Sequence, residues 1–222
     1  MAVRRETPSE QRRRSDGART HASILQLATR LASVEGIEGL TLGRLAEELG
    51  VSKSGVYAHF GSKQQLQFET IEAAQAIFTE EVVRPALETP EGIGRLEALC
   101  EAYLSYIERF VFPGGCFFAS LLPEMDARSG PIHEALVAGE RGFVDSVEGM
   151  AREAQERGEV AREVDPGQLA FELQAMIELA NYHFVLFRDQ RELERARNAI
   201  AGILERARRS GDARPNQASA RG

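Results

Sequence analysis

The chain has 222 residues, 43% of them hydrophobic, so it can bury a core, and it carries a net charge of −7. No run of 18 or more apolar residues predicts a membrane span, the Arg-rich start lacks the apolar segment of a secretory signal, and two cysteines, Cys100 and Cys116, make no disulfide framework. These features predict a cytoplasmic protein. The acidic total hides an asymmetry. Residues 1–66 hold ten Lys+Arg against seven Asp+Glu, a net of +3, while residues 67–222 hold 17 against 27, a net of −10. A basic N-terminal part and an acidic remainder point to different partners, with phosphates suited to the first only.

In chain order, residues 1–16 are polar and Arg-rich and predict disorder. Residues 17–35 place Ile24, Leu25, Ala28, Leu31 and Ala32 on one helical face, closed by Gly36 and Gly39. Thr41 can cap a short helix with Leu42, Leu45, Ala46 and Leu49 inward, and Gly50 makes a turn. Ser52 can cap a second short helix holding Val56 and Phe60 one turn apart, ended by Gly61. Ser62 and Gln65 form a capping-box pattern that opens a long helix over about 63–86. Further helices are predicted over about 91–111, 115–127, 131–158, 165–188 and 190–209, and the tail 210–222 predicts disorder. No strand pattern appears, so the fold class is all-α, with about nine helices.

Residues 41–60 therefore read helix, glycine turn, helix, the sequence form of a helix-turn-helix. The second helix opens with Ser52, Lys53, Ser54 and Gly55, small or basic residues that let a helix N-terminus approach a phosphate closely. Lys53 and Tyr57 lie four apart on one face, opposite Val56 and Phe60, with His59 at the helix end. Lys63 starts the next helix, where a cation opposes the local dipole and calls for an anion. Lys53 and Lys63 are the only two lysines of the chain.

The pattern Thr41…Leu45-Ala46…Leu49-Gly50-Val51-Ser52-x-x-Gly55-Val56-Tyr57-x-His59-Phe60-x-x-Lys63-x-x-Leu66 resembles the DNA-binding domain of the TetR family of bacterial repressors, over roughly residues 20–66. The resemblance implies a DNA-binding domain at 17–66, and a ligand-binding and dimerisation domain at 67–209 whose last two helices pair with those of a second subunit. It implies a homodimer on a palindromic operator, released by a small-molecule effector. Thr41, Tyr57, His59 and Lys63 would contact phosphates, Arg44, Lys53 and Ser54 would approach base edges, and Arg12, Arg13 and Arg14 are either a minor-groove arm or a solubilising leader.

Candidate effector contacts are Tyr103, Tyr106, Phe110, Phe118, Met125, Met176 and Asn181, since a pocket in an all-helical regulator is a gap among apolar side chains with a few polar groups. Glu178, Asn181 and His183 interrupt an apolar helix and need partners, in ligand, neighbouring helix or second subunit. No cofactor or metal is expected: there is no C-x-x-C, His133-Glu134 lacks a second His at position 137, and Gly92-Ile93-Gly94 lacks the strand and third glycine of a nucleotide loop. No Ser or Cys nucleophile with a nearby base stands out. A regulator without a small ligand, and an enzyme carrying an appended DNA-binding domain, remain the competing readings.

Overall fold

The computed structural model describes residues 8–209, and all regular structure among them is helical. The helices are α1 (Pro8–Glu35), α2 (Leu42–Leu49), α3 (Lys53–Phe60), α4 (Lys63–Phe78), α5 (Arg84–Leu87), α6 (Ile93–Glu108), α7 (Phe117–Met125), α8 (Pro131–Glu156), α9 (Pro166–Phe187) and α10 (Arg191–Arg209). A π-helical turn, Thr79–Val83, joins α4 to α5 without a break. Counting that run once leaves nine helices among the described residues, as the sequence predicts.

The largest difference from the sequence reading is at the start. Residues 8–16, assigned above to a disordered tail, form the first turns of α1. Pro8 supplies the fixed φ of a first helical position, and the Glu, Gln and Arg residues behind it are straight-chain helix formers. Residues 1–7 and the predicted tail 210–222 lie outside the described residues.

The chain divides into two compact units, Met1–Ala76 with Phe112–Ala135, and Ile77–Val111 with Leu136–Gly222. In the first, the inward faces of α1 (Ile24, Ala28, Ala32), α2 (Leu45, Ala46), α3 (Val56, Phe60) and α4 (Leu66) form one core. Alpha-helix α7 packs on α1 and adds Phe117, Leu121 and Met125 to the buried set. The turn before α7 touches α1 so closely that a Cβ on Gly114 would overlap the Ser33 carbonyl oxygen, and the Gly114 N–H donates to Ser33 Oγ at 3.3 Å.

In the second unit α6, α9 and α10 pack together. Phe78, Tyr103, Tyr106 and Phe143 form an edge-to-face aromatic cluster, with centroids 5.1–6.0 Å apart. Asp165 caps α9 as the Asp-Pro pair predicts, accepting from the Gly167 and Gln168 N–H groups at 2.8 and 3.2 Å.

The absent side chain at Gly114 sets a prediction. Gly114→Ala must push the turn off α1 and should lower unfolding free energy by about 1–3 kcal/mol. Gly17→Ala, where a Cβ meets open space on helix α1, should raise it by about 0.5–1 kcal/mol. Urea unfolding of both variants measures the contrast.

Candidate DNA-binding site

Two capped helices and one left-handed glycine build the site. Thr41 is extended and its hydroxyl accepts from the Arg44 N–H at 3.1 Å, starting α2. Gly50 ends α2 at φ 65°, a conformation that costs a side-chain-bearing residue about 1 kcal/mol or more. Its N–H returns to the carbonyls of Ala46 and Glu47. Ser52 then caps α3, its Oγ accepting from the Gly55 N–H at 3.0 Å and lying 3.2 Å from Ser54 Oγ. Gly61 closes α3 with its N–H on the Tyr57 carbonyl at 2.7 Å.

This geometry separates the faces of α3. Val56 and Phe60 are buried. Lys53, Ser54 and Gly55 are exposed, and the Tyr57 ring is 56% exposed, an unusual cost for an aromatic on an eight-residue helix unless something covers it. Among the described residues Lys53 makes no ion pair. His59 is half-buried, with its ring 5.8 Å from that of His21.

The other predicted cations are already engaged. Arg44 pairs with Glu48 at 2.9 Å and Glu35 at 3.6 Å. Lys63 donates to the Glu38 carbonyl at 2.7 Å and to Glu38 Oε2 at 3.0 Å. The sequence argument that a cation at the start of α4 calls for an external anion therefore needs correction: Glu38 supplies that anion from within the chain. The hydrogen bond from Lys63, the largest cause, holds the Glu38 carboxyl below its ordinary value. The Ser62–Gln65 capping box also forms only in half. Ser62 Oγ accepts from the Gln65 N–H at 3.0 Å, while the Gln65 amide turns outward to Glu69 at 3.0 Å.

Residues that carry the site's support were missed by sequence reasoning. His21 of α1 stacks on Phe60 at 4.8 Å and pairs through Nε2 with Glu69 at 2.7 Å, tying α1, α3 and α4 together. Gln67 is buried and donates to the Ile37 carbonyl at 3.0 Å. Nothing in spacing alone distinguishes a polar residue that spans helices from one facing water.

The candidate effector residues fall into different surroundings. In the first unit Met125 is buried and Phe118 is half-buried against Phe117, with rings 5.3 Å apart. In the second unit Tyr103 and Tyr106 belong to the buried aromatic cluster. Phe110 stacks on Phe184 at 5.1 Å, with the Arg188 guanidinium 4.4 Å above its ring. Met176 is half-buried and Asn181 buried. His183 meets Glu192 at 3.2 Å, so its partner is a neighbouring helix. Burial raises the carboxyls of both Glu178 on α9 and Glu140 on α8, and the charge of Glu178 raises Glu140 further. A groove of about 230 Å³ between α6 and α10, lined by Cys100, Glu101, Leu104, Arg197 and Ile200 among others, contains none of these candidates. Burial lifts the Cys100 thiol to about 12, which leaves it an unreactive small hydrophobe.

Known proteins share both the motif and the fold. Family models for "Bacterial regulatory proteins, tetR family" and "Tetracyclin repressor-like, C-terminal domain" match residues 24–70 and 92–200, which together make up most of the chain. This chain belongs to the TetR family. Nucleoid occlusion factor SlmA of Aliivibrio fischeri (strain MJ11) is 33% identical over 104 residues, 46% of this chain and 50% of that protein. The chain thus spans about half the length of the curated relatives it matches. A TetR transcriptional regulator from Chloroflexus aurantiacus superposes with a TM-score of 0.79 at 24% identity, covering 86% of this chain and 96% of the other. AibR, solved in complex with isovaleryl coenzyme A and operator DNA, superposes with a TM-score of 0.65 at 22% identity, covering 82% and 96%. At these identities the TetR-family likeness of the solved structures is one of fold.

The Glu38–Lys63 pair gives a pH-dependent prediction. Because the folded-state pKa of Glu38 is depressed, the pair's contribution to stability is present above the ordinary carboxylate value of 4.5 and is lost as pH falls through the lower folded value. Lys63→Met should therefore destabilise the protein near neutral pH, and the gap to wild type should shrink in acid below that range. Urea unfolding at pH 7 and pH 3 checks the direction.

Proposed function

We propose that this chain is a homodimeric transcriptional repressor that binds a palindromic operator and is released by a small-molecule effector. The observation that carries the reading is α3: Lys53, Ser54 and Tyr57 stand exposed above a buried Val56–Phe60 face, on a helix whose exposed first turn can present its remaining N–H groups to a phosphate. Family membership supports it, and so does the AibR fold neighbour, which carries operator DNA and a ligand. In this reading residues 17–66 form the DNA-binding domain and 67–209 the ligand-binding and dimerisation domain. Lys53 and Ser54 approach base edges, and Thr41, Tyr57 and His59 touch phosphates. Arg44 reaches a base only by exchanging Glu48 and Glu35 for DNA. Tyr103, Tyr106, Phe110, Phe118, Met125, Met176 and Asn181 remain the effector candidates. The protein acts by binding rather than by catalysis, in the cytoplasm.

Dimerisation has its own support. One apolar face of each of the last two helices, including Leu169, Leu173 and Ile177 on α9 and Leu193, Ile200 and Leu204 on α10, is buried within one chain. A different stripe of α9 is left open: Phe171 (67% exposed), Leu179, Tyr182 (63%) and Leu186, at spacings that keep them on one face. Such a stripe suits the matching stripe of a second copy across a two-fold axis. Effector and operator would each weaken the other's binding by the same factor, and the helical run that begins with α4 is the natural lever, because it carries the chain from the first compact unit into the second.

Selection of binding sites from a random duplex library, at roughly physiological salt, should recover a palindrome with half-sites about 10 base pairs apart. Failure to recover a consensus, even after unfolding, dialysis and refolding to strip any bound effector, would overturn the reading. On the recovered site, Lys53→Ala should relax base preference at one position per half-site, and Tyr57→Phe should weaken operator and random duplexes alike. Leu179→Glu should halve the mass in sedimentation and lower operator affinity by about tenfold or more.

A further inference from the structure

The segment between α1 and α2 is held in an unusual way. Ile37 is wholly buried yet belongs to no helix, so its backbone groups need partners; the Leu40 N–H reaches its carbonyl at 3.4 Å, and side chains from other helices meet the backbone of Ile37 and of half-buried Glu38. All four of these N–H and C=O groups have such a partner. Glu124 of α7 accepts both amides, the Ile37 N–H on Oε2 at 3.0 Å and the Glu38 N–H on Oε1 at 3.3 Å. Gln67 of α4 donates to the Ile37 carbonyl at 3.0 Å, and Lys63 of α4 donates to the Glu38 carbonyl at 2.7 Å. The Glu38 carboxylate is divided between the same two side chains, Oε2 to Lys63 and Oε1 to Gln67.

Two glycines show how tight the α7 side of this grip is. Gly36 sits at φ 81°, and a Cβ there would collide with Glu124 Oε2. Gly114, at the other end of the segment that carries Glu124, leaves no room for a Cβ against Ser33. The carboxylate is only partly drawn off by Arg128, at 3.9 Å.

The position of this clamp in the chain gives it leverage. It lies three residues before Thr41, the cap that starts α2, and its α4 side begins at Lys63, three residues after α3 ends at Phe60. The entry to the helix-turn-helix and the exit from it are therefore fixed to the same dipeptide. The segment 41–62 is held at both ends, and Glu124 anchors that dipeptide from 87 residues away in sequence.

We propose that Glu124 is a positioning residue for operator binding: through its two bonds to the Ile37 and Glu38 amides it sets the placement of α2 and α3 without touching DNA. The inference rests on the operator-binding reading above. It separates Glu124 from the DNA contacts because it predicts a loss of sequence discrimination with no loss of phosphate contacts.

The test uses full-length Glu124→Ala and Glu124→Gln, the latter keeping one acceptor. Binding is measured on the selected operator and on a scrambled duplex of the same length, over a salt series, at a temperature where circular dichroism shows each variant folded. Amide exchange at Ile37 and Glu38 is followed in the same samples. Glu124→Ala should lose about tenfold in operator affinity, change less than about twofold on the scrambled duplex, and keep the wild-type salt slope, since no phosphate contact is removed. Exchange at the two amides should accelerate by about tenfold or more, with Glu124→Gln intermediate in both readouts. Unchanged operator affinity despite faster exchange would overturn the proposal. So would equal losses on both duplexes, or a shallower salt slope. Wild-type protein that does not distinguish operator from scrambled duplex would instead overturn the operator reading itself.

Discussion

The first compact unit depends on satisfying the backbone at Ile37, a buried residue that has no helix of its own, and at half-buried Glu38 beside it. Ile37 packs in the core while the chain reverses between α1 and α2, and a reversal inside a core exposes amides and carbonyls that water cannot reach. The chain solves this with side chains from α4 and α7, which meet Ile37–Glu38 from different helices. Much else follows: Gly36 needs a left-handed φ to present its neighbours' amides, Gly114 must be bare for the α7 segment to lie on α1, and Lys63 is drawn to Glu38. The bonds made by Glu124 and Lys63 are charge-assisted, which makes them stronger than a neutral bond such as that from Gln67 to the Ile37 carbonyl.

The electrostatics of the helix-turn-helix look different once these pairings are known. The net +3 of residues 1–66 overstates the charge open to a phosphate backbone, because Lys63 and Arg44 already face carboxylates. Exposed pairs of this kind contribute about 0–1 kcal/mol each to folding, so DNA can compete for Arg44. Lys53 needs no such exchange among the described residues. In the proposed operator-binding reading, a surface with one open cation, two hydroxyls, a tyrosine and one cation held in reserve would lean more on helix-end amides and fitted contacts than on bulk charge.

In the second unit, α9 carries apolar residues on two opposite faces, separated by polar positions such as Glu172, Glu178 and His183, and packing treats the two faces differently. One face meets α6 and α10 within the chain. The other, from Phe171 to Leu186, stays open. An apolar face on a surface helix is normally buried against something, and the open stripe is the feature of this unit that the single chain leaves unexplained.

The sequence by itself determined the helices and the motif. Periods of 3.6, caps at Thr41, Ser52 and Asp165, and stops at Gly50 and Gly61 are local features, set by φ/ψ preference and by hydrogen bonds that span three or four residues. The division of α3 into Val56–Phe60 and Lys53–Tyr57 faces was legible for the same reason. Two local readings fail, and the Ser62–Gln65 capping box forms only in half. Arg-rich composition suggested disorder where helix propensity carried α1 back to Pro8, and the dipole at α4 suggested a free Lys63. The partners of charged side chains are not local. Glu38 lies 25 residues from Lys63, Glu69 lies 48 from His21 and Glu124 lies 87 from Ile37. Each of those carboxylates reads in sequence as one more solvated acid. Only the tertiary structure decided which acids hold the site, and which face of α9 was left open, because both depend on how distant helices share a core.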